Sequence, residues 1–293
     1  MAEQIEQRKK RSQQIVFHLF RYQILPTTQT IQLRFDSPVK NLEDLKAKKN
    51  NFFSQALTGM KRINYSRTEL THKVSEIDKD FYLIKLAAKR SLKRSTRDFK
   101  EEKIENWPAT NIIINNHPAV QKAIIQFNQK VFNDTKNIAD ILQDSLNDML
   151  KEYQLHVIFE KIFDEVKFWQ VVNLYKNRII QAEFELISPN LANISKSLQF
   201  DLQALNRSTN TQKTKLQLNS DKEAILTLSQ EDPLVSGLVD YASQGGGKIN
   251  LKVRGLNKKI HTSDKATEIT IDEMVFNNAD PKDILKIIGG IIK

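Results

Sequence analysis

The 293-residue sequence predicts an α+β fold, with mixed, largely antiparallel sheets against which helices pack. Three observations carry that prediction. Strand-like and helix-like segments alternate irregularly, without the strict rhythm of a doubly wound sheet. A clear hairpin signal lies at residues 111–128, and no repeat at a fixed period runs through the chain.

The elements follow in order. IVFHLFRYQIL (15–25) has aromatic and β-branched residues in strand proportions and stops at Pro26, and IQLRF (31–35) alternates as a second strand. Residues 41–60 turn helical, with Leu42, Leu45, Phe52, Phe53 and Leu57 on one face and Lys46, Lys48 and Lys49 expected outside. From Thr71 to Trp107 short strands are expected, with the basic run at 89–97 as a mobile loop. NIIINN and AVQKAIIQFN then form two strands around a tight turn at His117-Pro118.

Asp134-Thr135 offers a cap for a helix whose apolar positions run from Ile138 to Tyr153. LHVIFEKIF (155–163) reads as a strand, EVKFWQVVNLYKN (165–177) as a helix and IIQAEFELI (179–187) as a strand ending at Ser188-Pro189-Asn190. A helix fits residues 191–205, a loop 207–215 and a short strand 216–219. Pro233 sits where a first helical residue should, and Gly245 lies past that helix's end. KINLKVR (248–254) alternates strictly, 260–271 supply one or two strands, and the apolar tail after Asp280-Pro281 is expected to dock on its own domain. A boundary at 133/134 would separate a basic, strand-rich domain (1–133) from an α+β domain (134–293).

Composition narrows the function. The chain is 40% hydrophobic and 27% charged, with 15 Phe, enough for a sizeable core. It has no Cys, which removes disulfides, thiol nucleophiles and cysteine metal sites. No apolar run reaches about 18 residues, and the N-terminus has no secretory h-region, so a cytoplasmic protein without membrane contact is expected. The net charge of +10 suggests a polyanionic partner, although a basic surface can also serve solubility alone.

Recognisable chemistry is scarce. Neither a phosphate-binding G-x-x-x-x-G-K nor a G-x-G-x-x-G occurs. Gly245-Gly246-Gly247 follows a helix and opens a strand, the reverse of a phosphate-binding order, so a helix cap and turn are expected. The five histidines are scattered, and His117 belongs to a turn. Asp164 with Glu165-Val166-Lys167 has the spacing of a Mg²⁺ nuclease triplet, but it also reads as the acidic first turn of a helix. No catalytic residue, metal or cofactor is assigned.

Basic clusters say more. Lys89, Arg90, Lys93, Arg94 and Arg97 lie in a segment (85–103) with eight cations and three acids. Lys248, Lys252, Arg254, Lys258 and Lys259 lie in a stretch with no acid from Gly245 to Ile260. On a strand, Lys248, Lys252 and Arg254 would share one face, with alternate residues about 7 Å apart, near the phosphate spacing of a DNA strand. Asp140, Asp144, Asp148 and Glu152 form an acidic helical stripe, so the two signs are segregated.

FRYQILP, the hairpin ending in IIQFN, the strand ending in ISPN and DYASQGGGKINLKVRG together resemble bacterial anti-phage, phage-exclusion proteins of the RexA and KwaB kind. The resemblance implies a mixed α+β core and DNA binding by a homodimer, with no catalytic residues to transfer. The sequence-level expectation is a cytoplasmic, non-catalytic antiviral defence component that binds DNA in preference to RNA, with a further defence-system protein as a partner. A Mg²⁺-dependent nuclease and an interaction or scaffold protein stay open beside it.

Overall fold

The computed structural model describes residues 14–28, 38–63, 65–187, 202–221, 223–290 and 292. The fold is α+β, and every strand pairing among these residues is antiparallel. The strand expected at 31–35, the Ser188-Pro189-Asn190 stop and most of the helix expected at 191–205 fall outside the described residues.

The first sheet has seven strands. Its hub is β1 (Gln14–Pro26), long enough to take two partners on one side, β13 (Glu268–Asp272) and β8 (Leu155–Lys161), and β7 (Lys122–Phe127) on the other. Beyond β7 follow β6 (Ala109–Asn115), β3 (Phe81–Ala88) and β2 (Leu70–Asp78).

Alternation along β1 serves both faces of this sheet. Phe20, Tyr22 and Ile24 face a core closed by α1 (Leu42–Gly59) and α2 (Thr135–Leu150). Ile15, Phe17 and Leu19 face α6 (Glu273–Asn278) and α7 (Pro281–Ile288), whose Phe276, Ile284 and Ile288 are buried there with Ile292. The apolar tail docks as expected, and Asn115 Nδ2 donates to Ile292 O at 2.7 Å.

The cap expected at Asp134 forms, and Asn41 supplies another that the sequence reading did not name. Asn41 Oδ1 accepts from Asp44 N at the start of α1, and Asp134 Oδ1 accepts from Lys136 N at the start of α2. Lys49 differs from expectation: it is buried, because it shares the helical face of Leu45, Phe52, Phe53 and Ala56. The hairpin link is longer than a tight turn, spanning 116–121. It folds inward because Tyr22 and Asn50 hydrogen-bond Asn116, with Tyr22 Oη to Asn116 Oδ1 at 2.9 Å and Asn50 Nδ2 to Asn116 O at 2.8 Å.

Among the described residues no strand lies beside the outer edge of β8, and α2 supplies partners for its backbone there. Val157 N donates to Asn147 Oδ1 (2.6 Å), and Asn147 Nδ2 donates to Val157 O (3.1 Å). Phe159 N donates to Gln143 Oε1 (2.9 Å), and Lys136 Nζ donates to Phe159 O (2.9 Å).

The second sheet runs β10-β9-β11-β12: Lys213–Asn219, Ile179–Ile187, Gly247–Val253 and Ile260–His261. Its apolar face packs on α3 (Glu165–Leu174) and α5 (Pro233–Tyr241) through Phe168, Trp169, Val235 and Leu238. Preceding β10, α4 (Leu202–Thr209) and β10 itself occupy much of the tract 207–215 expected as a loop, because pairing with β9 decides a strand that composition does not reveal.

Where the sheets meet, the seam is polar. Arg21 and Gln23 of β1 are buried near Tyr241. Glu160 is buried among the charges of Lys136, Lys248, Lys213 and Glu185, and burial raises its pKa. Burial likewise lowers the Arg21 guanidinium to about 10.

The boundary at 133/134 does not divide the core. Residues from Phe20 to Phe159 share one hydrophobic cluster, and β8 and β13 join the sheet of β1.

Candidate nucleic-acid interface

After Ala88 the chain leaves the first sheet as a separate two-stranded ribbon of β4 (Arg90–Ser95) and β5 (Glu101–Asn106). The basic run therefore lies on an ordered hairpin rather than a mobile loop. Its side chains alternate between two solvated faces, so the sequence shows no apolar stripe to betray a strand. The turn closes through Thr96 N to Lys100 O at 2.8 Å, with Lys100 N donating to Thr96 Oγ1 at 3.2 Å. At the tip Phe99 has φ of 56° and is 97% exposed.

Ion pairs stiffen this arm. Lys93 meets Glu101 at 2.8 Å and Arg94 meets Glu102 at 3.0 Å, both in cross-strand positions. At the base Lys89 lies 3.3 Å from Glu69 and 3.4 Å from Glu105, hydrogen bonds that raise its pKa above the usual lysine value. Arg90 donates to Val131 O and lies over the Phe132 ring. Four of the five sequence-identified cations are thus engaged within the protein. Arg97 and Lys100 in the turn, and Lys103 on β5, have no acidic partner among the described residues.

A cleft of about 740 Å³ opens near the arm's base, lined by Lys61, Arg62, Tyr65, Thr68, Glu69 and His72 among others. Its wall and the arm are joined, since Lys89 N donates to Glu69 O at 2.9 Å and Thr68 Oγ1 donates to Lys89 O at 2.8 Å. Lys61, Arg62 and Arg67 are exposed, and none has an acidic partner among the described residues. Sequence reasoning passed over them, although KRINYSRT (61–68) holds three cations and no acid. Nearby on the first sheet Lys73 and Lys85 stand directly opposite each other, both exposed, an arrangement of like charges that does not help folding.

The second cluster lies on the other sheet. Lys248 and Lys252 share the polar face of β11 with Asn250, but Arg254 lies past the end of the strand. There Arg254 N donates to Arg178 O (2.7 Å) and its guanidinium to Ala224 O (2.9 Å), so the expected three-cation row is broken. Lys248 pairs with Glu185 at 3.4 Å and Lys259 with Glu183 at 3.2 Å. Glu183 also receives Lys215 at 3.0 Å and Asn250 Nδ2 at 3.0 Å. Burial alone would raise its pKa, but these hydrogen bonds outweigh it and hold the carboxyl at about 2. Lys252 and Lys258 are exposed.

The remaining motifs have structural work. Gly245 takes φ of 80° past the end of α5, and a Cβ on Gly247 would lie 2.0 Å from Glu185 O, so the glycines let backbones approach closely. Asp164 caps α3 through Val166 N at 2.9 Å, and Glu165 accepts from Trp169 Nε1 at 3.0 Å. His117 makes only local turn contacts among the described residues, accepting from Ala119 N at 3.3 Å and donating its own N–H to Asn115 Oδ1 at 2.9 Å. Among the described residues no group of three His, Asp or Glu side chains is placed to hold a metal ion, and no helix is long and apolar enough to cross a membrane.

Compared with family models, curated proteins and solved structures, the chain matches none.

Proposed function

We propose that the protein is a non-catalytic nucleic-acid-binding protein that holds duplex DNA against the β4–β5 arm and the cleft at its base. The observation that carries this reading is a set of six exposed cations, Arg97, Lys100 and Lys103 on the arm, Lys61 and Arg62 lining the cleft and Arg67 next to its lining residues Ser66 and Thr68, for which the fold supplies no acidic partner among the described residues. Phosphates supply such partners, and the release of their counterions drives association. A two-stranded ribbon is of a size that enters a B-DNA groove, whereas A-form RNA closes its deep groove to side chains, which favours DNA. The resemblance to phage-exclusion proteins puts such binding to use in defence. The face of β11 is a secondary contact, because Glu183 and Glu185 already neutralise much of it.

The test is retention of labelled duplex DNA and RNA by pure protein, with and without Mg²⁺, across a salt series. Six phosphate contacts give a log–log slope of about −5 on duplex DNA, with no cleavage. Replacing the six cations by Ala should flatten that slope. Lys248→Ala, Lys252→Ala and Arg254→Ala together should change it by about one unit, since Lys248 and Arg254 are engaged internally. A flat salt response of the parent protein overturns the reading, and Mg²⁺-dependent cleavage replaces it with a nuclease.

A further inference from the structure

We infer that Phe99 is an apolar wedge that inserts between stacked bases of the bound duplex; this rests on the reading just given. The fold itself has no use for phenylalanine at this position. The ring is 97% exposed at the tip of a ribbon that stands apart from both sheets. Its backbone is left-handed, at φ of 56°, a conformation that Gly or Asn adopts easily and a bulky side chain rarely does. Phe99 is thus both strained and unburied, so what it contributes lies outside the chain.

Its surroundings indicate what it meets. Arg97 and Lys100 occupy the same turn, Lys103 follows on β5, and Asp98 is the turn's single acid. The ribbon that carries them is about 20 Å long at 3.3 Å per residue, enough to lay the tip well inside a groove while its base stays at the cleft. Apolar side chains carried into a groove between cations wedge apart base steps and bend the duplex, and the extra contacts of the bent form offset the unstacking. A protein partner fits less well. Phe99, Leu92 and Ile104 are the arm's exposed apolar residues, and they offer far less than the ~1,000 Å² of a stable protein interface.

Phe99→Ala and Phe99→Trp test this, because a side chain so exposed can change without unfolding the protein. Affinity for duplex DNA is read by anisotropy, bending by energy transfer between end labels, and self-association by sedimentation. Phe99→Ala should bind tenfold to a hundredfold more weakly and lose the bend, with an unchanged salt slope because no charge is altered. Phe99→Trp should retain both, with its added fluorescence quenched on binding. A Phe99→Ala protein that binds and bends like the parent overturns the wedge and leaves the binding reading standing. A parent protein that binds no duplex at low salt overturns both. Loss of a dimer in Phe99→Ala makes the tip a protein contact and overturns the wedge.

Discussion

Lys49 places an ammonium group on the core side of α1, and burial, with the charge of Lys46 adding to it, lowers its pKa to about 8. The ordinary value is 10.5, so the unfolded chain keeps its proton more firmly than the folded one. Below about pH 8 the folded protein must hold a charge that burial disfavours. Stability from this residue therefore rises between about pH 8 and 10.5 and is flat outside that window. The difference corresponds to something on the order of 3 kcal/mol. Lys49→Met should be more stable than the parent by up to that amount at pH 7, and the gap should close near pH 10.5. Urea titrations at both pH values check this, and equal stability at pH 7 would sink it. The position was legible in the sequence, since residues 45, 49, 52 and 56 repeat at helical spacing. The neighbouring Lys46 and Lys48 hid it, because with Lys49 they look like one solvated face.

At the scale of elements, α2 satisfies a strand's edge as well as closing the core. Truncating Asn147 removes both partners of Val157's backbone, groups that are strong and obligatory hydrogen-bonders. Asn147→Ala should cost about 1–3 kcal/mol, while Asp144→Ala, exposed on the same helix, should stay within about 0.5. Thermal unfolding of the two variants separates them, and equal shifts would mean that the edge is satisfied some other way. The sequence displayed the acidic stripe of this helix because it repeats every four residues. It could not display Gln143 and Asn147 as edge partners, since that role exists only once β8 lies alongside. The arm was hidden for a related reason. RSLKRS and EEKIEN carry one apolar residue each, Leu92 opposite Ile104, and a ribbon with no core beside it leaves little alternation to read.

For the whole molecule, the strands, helices and caps of the core were largely legible, and the domain boundary was not. Charge changes near residue 133, but charge describes the surface, whereas Val131, Phe132, Ile138 and Ala139 on either side lie in one cluster. Fragments 1–133 and 134–293 should each fail to show a cooperative thermal transition, the first lacking α2 and β8, the second lacking β1. Circular dichroism on the separate fragments checks this, and a sharp transition in either would restore the two-domain division. The candidate interface was half legible. Density of charge points to the arm but does not tell which cations the fold engages, so Lys248 and Arg254 read as strong candidates and Lys61, Arg62 and Arg67 do not stand out.

The position of β1 also has a consequence in time. Val16 pairs with both Phe127 and Thr270, so one strand waits for neighbours more than 100 and more than 250 residues later. During synthesis at about 5–20 residues per second, β1 emerges well over ten seconds before β13 exists. Through that interval Phe17 and Leu19, which end on the face covered by α6 and α7, have no cover of their own. Pairings so distant also carry a high loop-closure cost, which slows folding. Until β13 has been made, the nascent chain therefore carries an unpaired length of β1 and uncovered apolar side chains, and the first sheet closes only after that.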